Sequence, residues 1–498
     1  MKSAIFLTVA LGWALLHPAG ARGLTLETLA LQNDPSPAGF PYRRFGNPVV
    51  GDTPGRVAVY ARTRGAPRCI FKLDPTLAAS VVVCRGDASP DGRAYQSFGE
   101  PPSINATSEV AWSSRLTFSR TGVYRGDGTQ APVALLGDPV PAPGTGLLND
   151  FSFARIATSG DVAFIGSISG GAVILGVEVN EGVFRCTGGD GNCSAGTGVL
   201  TTVALVDDPI PDRPGRKICD FTGLAASSYG VAFTASTKLD CAAGGEAPLG
   251  GVFRKPTAGP IVTVALQGEV SQPFPVPGGT IYGSLRNTLA LSDIGHVAFV
   301  ATTTGVTVTT STSTSTSSTS SSSTTSSSTT SSTAVVTTTS TTSSSVTTSS
   351  TTSTSTSSTT TTSLAPPLPS TTGIFLCDPA TCPLAPATAA VTKGLLDDAG
   401  NAFSSFSTPS VSTTGDIAFS SRVGSPGFHG SGVYIRQIGG DIVTVALTGD
   451  PVPPPSPTAV FKRLTDPPAM SPSGKVAFRG RIKASVSPRN RRGVFLAE

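Results

Sequence analysis

The residues whose types and spacing are best suited to chemistry are acidic side chains that recur at one position. Each lies three residues after a segment of the Thr-Val-Ala-Leu type. Carboxylate oxygens are the ligands that Ca²⁺ prefers, so the candidates for calcium are Asp34, Asp87, Asp138, Asp208, Glu269 and Asp450. Pro follows four of them directly, and no copy has the Asp-x-Asp-x-Asp density of a calcium loop. We therefore expect turns in which each carboxylate bonds its own backbone, and we expect no metal or cofactor.

Histidine, the usual acid–base residue, is nearly absent. The sequence has 3 His, and His17 lies in a segment that we expect to be removed. His296 follows a turn and is expected at the surface, and His429 is expected in a loop without a partner. The chain also lacks a Gly-x-Ser-x-Gly nucleophile elbow and a phosphate-binding Gly-Lys-Ser/Thr loop. We expect no catalytic residue, so the sequence predicts that the protein is not an enzyme.

Charge is sparse and nearly balanced. Charged residues make up 13% of the 498 residues, and the formal net charge is +4. A dedicated nucleic-acid-binding protein clusters Lys and Arg, and this sequence does not, so no nucleic acid partner is expected. The basic run Arg489-Asn490-Arg491-Arg492 could meet an anionic surface, but a solvated loop between two strands explains it better.

Residues 1–21 predict export. Lys2 precedes an apolar run over residues 4–16. Ala19-Gly20-Ala21 then fits the small-x-small rule for signal peptide cleavage after Ala21. The run is shorter than the ~20 residues that span a bilayer, and no other long apolar stretch follows, so we expect no membrane span. We expect a secreted protein, extracellular or periplasmic, and a monomer.

The 8 cysteines of an exported chain predict disulfides. Many connectivities are possible, but neighbouring cysteines flank short turns and could meet across a hairpin. The spacing therefore favours four local pairs: Cys69–Cys84, Cys186–Cys193, Cys219–Cys241 and Cys377–Cys382. The alternative, a thiolate metal site, lacks the two-residue cysteine spacing that is typical of one.

Three short elements recur along the chain seven times. The first, Val-Ala-Phe, has its Ala at Ala58, Ala111, Ala163, Ala232, Ala298, Ala418 and Ala477. A Gly-Val-Phe element follows each copy, and a Thr-Val-Ala-Leu element follows each of the first six, with its seventh copy before the first Val-Ala-Phe. A four-residue turn precedes each Val-Ala-Phe, usually with Ser or Asn first and Gly fourth, as in Ser471 to Gly474. The Phe- or Leu-rich segment before that turn, such as Phe403 to Val411, brings the number of strands per repeat to four.

Four short β-branched and aromatic strands in each repeat of ~50–60 residues predict an all-β fold, a single seven-bladed β-propeller. The mature chain opens with a Thr-Val-Ala-Leu strand, Leu26 to Leu31, and closes with a Gly-Val-Phe strand. These two elements are consecutive partners elsewhere, so we expect the first strand to complete the last blade. A linear β-solenoid, with coils of ~20–30 residues, is the alternative.

Residues 302–372 interrupt the fifth repeat with a tract that is almost only Ser and Thr. Such a composition cannot bury apolar surface, so we expect a low-complexity, disordered insertion. It is either an O-glycosylated spacer or a neutral expansion of a simple repeat. The propeller repeats then occupy residues 22–301, which end within repeat 5, and residues 373–498.

Two segments carry a further likeness, Ser412 to Phe419 (STTGDIAF) and Gly137 to Gly144 (GDPVPAPG). They resemble an exported tandem-repeat family named for an Asn-x-x-Gly-x-x-Ala-Phe-x-Ala motif, the choice-of-anchor repeat proteins. The chain departs from the family in usually having Ser in place of Asn and in lacking a terminal anchor. The family has no established activity, so the resemblance implies location and architecture only.

The sequence thus predicts a binding or structural module at or outside the cell surface. A cell-surface glycan or protein is the expected partner, and the ligand itself is not identified. We expect the site on a rim, with the loops 166–181 and 238–249 as candidates. The alternative is a carbohydrate-active hydrolase or lyase whose carboxylates come from different blades.

Overall fold

The computed structural model describes residues 24–305 and 370–498, apart from residues 52–54, 66, 77, 100, 172, 175–176, 189–191, 211–212, 242–245, 269–279, 381–386, 457 and 485–490. All described residues fall within one compact unit of the chain. They form 34 β-strands and one 3-10 turn at Thr117–Ser119, and none of them is α-helical. No described helix could cross a membrane. The predicted signal peptide, with its cleavage residue Ala21, lies outside the described residues.

The strands form seven four-stranded antiparallel blades of a β-propeller, and the first strand of each blade lines the central channel. The chain begins with β1 (Leu26–Leu31). Blade 1 has β2 (Tyr42–Phe45), β3 (Val49–Val50), β4 (Val57–Thr63), β5 (Arg68–Leu73) and β6 (Ser80–Cys84). Blade 2 has β7 (Tyr95–Phe98), β8 (Ser103–Ile104), β9 (Val110–Leu116), β10 (Thr121–Gly126) and β11 (Gln130–Leu135). Blade 3 has β12 (Leu147–Ile156), β13 (Val162–Ser169), a short hairpin of β14 (Val173–Ile174) and β15 (Val177–Glu178), β16 (Glu181–Thr187) and β17 (Val199–Leu205).

The remaining blades repeat this order. Blade 4 has β18 (Lys217–Ser227), β19 (Gly230–Lys238), β20 (Leu249–Pro256) and β21 (Val262–Leu266). Blade 5 has β22 (Thr280–Leu291), β23 (Val297–Gly305), β24 (Thr371–Cys377) and β25 (Thr388–Thr392). Blade 6 has β26 (Ala402–Phe406), β27 (Ser410–Val411), β28 (Ile417–Ser425), β29 (Phe428–Arg436) and β30 (Ile442–Leu447). Blade 7 has β31 (Ala459–Arg463), β32 (Ala469–Met470), β33 (Val476–Ala484) and β34 (Arg491–Ala497). The predicted seven-bladed propeller is confirmed.

The first strand completes the last blade, as the order of elements predicts. β1 pairs antiparallel with β34, from Leu26 opposite Ala497 to Leu31 opposite Gly493. Leu31 is buried in the core of blade 7 beside Phe461 and Phe495. Each blade packs its faces against its neighbours, so closing the ring leaves no blade with an uncovered apolar face.

The two central strands of each blade are the Val-Ala-Phe and Gly-Val-Phe elements, and their aromatic rings stack. In six blades the ring centroids are 5.4–6.1 Å apart, in the pairs Trp112–Tyr124, Phe164–Phe184, Phe233–Phe253, Phe299–Phe375, Phe419–Tyr434 and Phe478–Phe495. A Cβ added at Gly251 would lie 2.5 Å from the ring of Phe253. The glycine of the Gly-Val-Phe element therefore makes room for the ring two residues later, and that ring forms the blade core.

The recurring Ser/Gly turns join the first and second strands of the blades. At the turn before β33, the Gly474 N–H donates to the Ser471 carbonyl at 3.0 Å, and the Lys475 N–H donates to Ser471 Oγ at 3.1 Å. Equivalent bonds form at Ser292 and Ser412. Gly474 has a φ of +93°, which a residue without a Cβ adopts most easily. Ser therefore suits the first position because its Oγ accepts a backbone N–H, and Gly suits the fourth because its φ is positive.

The innermost strand is broken in four blades. The expected strand from Phe403 to Val411 is instead β26 and β27, with Pro409 directly before the second piece. Pro48, Pro102 and Pro468 stand at the same place in blades 1, 2 and 7. Proline has no N–H to donate to the ladder, so pairing stops there and resumes at the next residue.

The Ser/Thr insertion connects the second and third strands of blade 5. β23 and β24 pair from Val297 opposite Cys377 to Thr303 opposite Thr371. Strands β23 and β24 thus include residues 302–305 and 371–372, which the sequence assigned to the insertion. The remainder of the insertion lies outside the described residues.

Candidate functional site

The recurring acidic residues hold turns together. In each of five copies a carboxylate oxygen accepts the backbone N–H of the residue three places earlier, at 2.7–2.9 Å. These residues are Asp34, Asp87, Asp138, Asp208 and Asp450. Glu269, the sixth candidate, lies outside the described residues. Within the part of the chain that the structure describes, no group of three or more His, Cys, Asp or Glu could hold a metal ion.

Three of the four predicted disulfides are present. The Cα atoms are 4.0 Å apart for Cys69–Cys84, 5.9 Å for Cys186–Cys193 and 5.3 Å for Cys219–Cys241. The predicted pair Cys377–Cys382 includes a residue outside the described ranges. Disulfides persist in oxidising compartments, so these three indicate an environment of the extracellular kind.

Both histidines beyond the signal segment lie where the sequence did not place them. His296 is buried, with 5% of its surface exposed, because its turn packs against Gly415 of the next blade. Burial lowers the pKa of its imidazole. His429 is exposed and lies within β29, opposite Gly424, instead of lying in a loop. The expectation of a surface position for His296 was therefore wrong.

We call the face at which each first strand begins the upper face. Strands alternate in direction, so the loops between second and third strands also lie there. The predicted rim loops 166–181 and 238–249 are of this type, in blades 3 and 4. The first contains the small β14–β15 hairpin, and parts of both lie outside the described residues.

An arginine-lined groove lies in the upper half of the propeller, at the seam between blade 7 and blade 1. Two adjoining cavities of about 390 and 110 Å³ form it and share Arg44, Arg481 and Arg492. The residues that line this seam groove are Gln32, Arg43, Arg44, Arg62, Arg463, Thr465, Asp466, Arg479, Arg481, Arg491 and Arg492. The lining has eight arginines and one aspartate, so its formal charge is +7, whereas the whole chain has a net charge of only +4.

Arginine faces arginine directly across the strand ladders of the groove. Arg44 on β2 is opposite Arg62 on β4. On the other wall, Arg481 on β33 is opposite both Arg463 on β31 and Arg492 on β34. Like charges directly opposite each other destabilise an antiparallel ladder. We call these pairs the arginine rungs.

The strands themselves direct these side chains into the groove. The β2–β4 ladder is irregular between Tyr42 and Arg44, so Arg43 and Arg44 are both exposed while Tyr42 and Phe45 are buried. The side chains of Arg44, Arg62, Arg481 and Arg492 make no hydrogen bond or ion pair with a described residue. Their guanidinium forks are therefore available to a ligand.

Two other arginines join the walls of the groove. Arg479 on β33 donates from Nε and Nη2 to Asp466 at 2.9 and 2.7 Å, and its Nη1 donates to the Phe45 carbonyl of blade 1. Arg491 donates to the Gln32 carbonyl at 2.7 and 3.0 Å and lies 3.3 Å from Asp34 Oδ1. Arg479 and Arg491 thus stabilise the contact between the two blades, and the arginine rungs do not contribute to it.

The neighbouring arginines of the groove affect the ionisation of Arg492. Burial lowers the pKa of its guanidinium, and the positive charges of Arg481, Arg479 and Arg44 lower it further, against the opposing effect of Asp466. Arginine nevertheless remains charged at neutral pH. The groove therefore presents positive charge that its own carboxylates do not neutralise.

The sequence pattern did not predict this groove. The basic run was interpreted as a solvated loop, but Arg491 and Arg492 begin β34, and Arg489 and Asn490 lie outside the described residues. One signal was available: Arg stands four residues after the Ala of Val-Ala-Phe in four repeats, at Arg62, Arg115, Arg422 and Arg481. Two of these four occupy the blades that meet at the seam.

The sequence matches the model of one protein family. The model of a family of unknown function, DUF7453, matches residues 23–272 and 387–498. The chain belongs to DUF7453. No curated protein matches this DUF7453 chain in sequence.

Similar solved structures include a prolyl endopeptidase, at 10% sequence identity and a TM-score of 0.42. That match covers 91% of this DUF7453 chain, which spans 50% of the length of the peptidase chain. Another is described as an exo-β-1,3-galactanase from Bifidobacterium bifidum s17, at 12% identity and a TM-score of 0.23, covering 56% of this chain and 94% of that one. At these TM-scores neither likeness carries a functional argument.

Proposed function

We propose that this DUF7453 protein is a secreted binding module that recognises an acidic polysaccharide in the seam groove. The observation that carries the proposal is the set of arginine rungs. Repulsion between the facing arginines lowers the stability of the folded chain. Four of the five side chains have no hydrogen bond or ion pair among the described residues. Local features that lower stability without compensation are typical of functional sites.

Arginine suits this ligand because its planar guanidinium donates two parallel hydrogen bonds to a carboxylate or a sulfate. Arg44 and Arg62 supply such forks on one wall of the groove, and Arg481 and Arg492 supply them on the other. A chain of sugars with anionic groups on successive units can contact both walls. Each bound anion also reduces the repulsion between neighbouring arginines.

Other anionic partners fit the groove less well. Single-stranded nucleic acids stack their bases on aromatic side chains, and none of the groove residues that the structure describes is aromatic. Proteins that bind membrane surfaces insert apolar side chains beside their basic ones, and the described residues of the lining include no apolar side chain. The composition of the lining favours a hydrophilic polymer.

The test compares binding of the full-length chain, with its disulfides formed, to polygalacturonate, dextran sulfate and uncharged dextran. We expect binding to both charged polymers, weakening steeply between 50 and 300 mM salt, and no binding to dextran. The double variant Arg44→Gln/Arg492→Gln should bind about tenfold more weakly, at roughly 0.7 kcal/mol for each rim charge.

The matched control is Arg115→Gln/Arg422→Gln. These arginines occupy the repeat position of Arg62 and Arg481, but in blades 2 and 6, where they face Ser or Thr across the ladder. The control should bind as the wild type does. Equal weakening in both double variants would reduce the effect to overall charge and would overturn the proposal. Tighter binding to single-stranded DNA than to polygalacturonate would overturn the ligand class.

A second candidate function, a carbohydrate-active hydrolase or lyase, is favoured by one pair of carboxyl groups at the seam between blades 3 and 4. Glu181 Oε2 accepts the Phe221 N–H at 3.1 Å, and Asp220 is its acidic neighbour on β18. Burial raises the pKa of Glu181 to about 7, and the charge of Asp220 adds to the rise. A carboxyl group with that pKa suits general acid catalysis. Release of reducing ends from a polysaccharide, lost in Glu181→Gln, would favour this function over binding alone.

A further inference from the structure

The central channel contains a cavity of about 390 Å³ that is distinct from the seam groove. All seven blades line it with the last residues of their innermost strands and with the turns that follow. In each blade, one residue of the innermost strand lies opposite the Ala of the Val-Ala-Phe element. These seven equivalent residues are Val49, Ser103, Arg155, Ala225, Ala290, Ser410 and Ala469. Six of these residues are small or medium and uncharged, and only blade 3 has a long charged side chain.

The small side chains have structural roles that explain them. The Ile156 N–H donates to Ser103 Oγ at 3.2 Å, and the Met470 N–H donates to Ser410 Oγ at 2.9 Å. In both cases the serine connects its own blade to the next blade. A small residue at this position lets neighbouring inner strands approach, which makes the arginine of blade 3 an exception that requires another explanation.

Arg155 uses only part of its hydrogen-bonding capacity. Its Nη1 donates to the Pro101 carbonyl of blade 2 at 3.2 Å and to the Ala154 carbonyl at 3.0 Å. Its Nε and Nη2 have no partner among the described residues, and no described carboxylate forms an ion pair with it. Burial lowers the pKa of Arg155 to about 10, which leaves the guanidinium charged at neutral pH.

A local irregularity of the strand sets the position of this side chain. The β12–β13 ladder shifts between Ser152 and Arg155, where β12 has one residue more than β13, and the innermost strands of blades 4 and 5 are also irregular as they approach the channel. Phe153, within the irregular stretch, has a φ of +53°, which is costly for a side chain of this size. Bulges of this kind redirect side chains at functional sites.

The remainder of the described lining is uncharged apart from Asp293, and it combines prolines and aliphatic residues with Ser, Thr and Asn side chains. Asp293 is the other charged residue among the described lining, and it accepts hydrogen bonds from Thr158 Oγ1 at 2.6 Å and from the Ser228 backbone and side chain at 2.9 and 2.6 Å. Proline rings line the wall in several blades, among them Pro48, Pro102 and Pro409. The cavity thus combines one guanidinium that has no ion pair among the described residues with a wall of proline rings and uncharged side chains.

We propose that the central channel is a binding site for a small organic monocarboxylate, held by the Nε and Nη2 groups of Arg155 with its apolar part against the proline rings. One planar fork matches one carboxylate. A dianion such as phosphate or sulfate would bring two charges to a lining with a single cation, and Asp293 would repel it. The cavity is within the size range of small-molecule sites.

The test uses the full-length chain with acetate, butyrate and benzoate as probes, and with sulfate and phosphate at matched ionic strength. Ligand-detected NMR and calorimetry give the affinities. We expect the three carboxylates to bind, with affinity rising as the apolar part grows, and Arg155→Gln to weaken binding at least about tenfold. Sulfate and phosphate should neither bind tightly nor compete.

Two further variants separate this site from the seam groove and from misfolding. The seam variant Arg44→Gln/Arg492→Gln should retain carboxylate binding, and Arg155→Gln should retain polygalacturonate binding. Ala469→Phe places a ring in the channel while leaving Arg155 intact, and it should also abolish carboxylate binding. Binding that persists in both Arg155→Gln and Ala469→Phe, each shown to be folded by circular dichroism, would overturn the proposal. Equal affinity for phosphate or loss only in the seam variant would overturn it as well.

Discussion

The carboxyl group of Glu181 should make the stability of the propeller depend on pH in a direction opposite to that of most paired carboxylates. Glu181 is half-buried at the start of β16, beside Asp220 of the next blade. Burial raises its pKa from 4.5 to about 7 in the folded chain, and the Phe221 N–H that it accepts offsets only part of this rise. In the unfolded chain the same group should lose its proton near its ordinary pKa.

Between these two pKa values the folded state binds the proton and the unfolded state does not. The free energy of unfolding must therefore fall as pH rises from about 4.5 to about 7. A pKa difference of this size corresponds to a few kcal/mol, on the order of 3, at most. Because Glu181 is only partly buried, solvent screening reduces the expected effect to about 1–2 kcal/mol.

Replacing Glu181 with Gln removes the titration and keeps the size of the side chain. We expect Glu181→Gln to match the wild type near pH 5 and to be about 1–2 kcal/mol more stable at pH 8. Urea unfolding at four pH values, followed by circular dichroism and by the fluorescence of buried Trp112, measures the difference. Glu27→Gln, at an exposed carboxyl on β1, is the control for the amide substitution itself. A difference between Glu181→Gln and wild type that does not change with pH would refute the reasoning.

The remaining predictions concern the closing seam. Arg481→Gln removes a charge opposite both Arg463 and Arg492, so it should raise the free energy of unfolding by roughly 0.5 kcal/mol, and by more at low salt. Urea unfolding at 20 and 300 mM NaCl tests this, and a loss of stability would contradict it. Leu31→Ala removes a side chain that is 1% exposed on the closing strand, and it should cost about 3 kcal/mol through the cavity it leaves. A cost below about 1 kcal/mol in the same assay would mean that β1 contributes little to the last blade.

The repeats allowed much of the architecture to be predicted. Val-Ala-Phe and Gly-Val-Phe encode adjacent strands whose rings stack, and this needs only local pairing within one blade. The blade number, the closing pair β1–β34 and three disulfides followed from counting and from the order of the elements. The break in the innermost strand did not follow, although Pro409 was visible, because the same residues also fit one continuous strand.

The environment of single side chains was harder to predict. His296 was expected at the surface because it follows a turn, yet that turn packs against the neighbouring blade. Arg155 stands at a position where six other blades have uncharged residues. An alignment of the repeats with one another would have singled it out, but only the channel shows that its Nε and Nη2 groups are without a partner among the described residues.

The sequence by itself determined the repeat, the strands and the order in which they pair, because these depend on short-range patterns of apolar, β-branched and turn-forming residues. Only the tertiary structure decided where charge accumulates. Arg44 and Arg492 are more than 400 positions apart, and the closure of the ring brings them to one groove. Electrostatic interaction depends on distance through space and not along the chain. A nearly neutral sequence therefore folds into a molecule with a strongly basic seam.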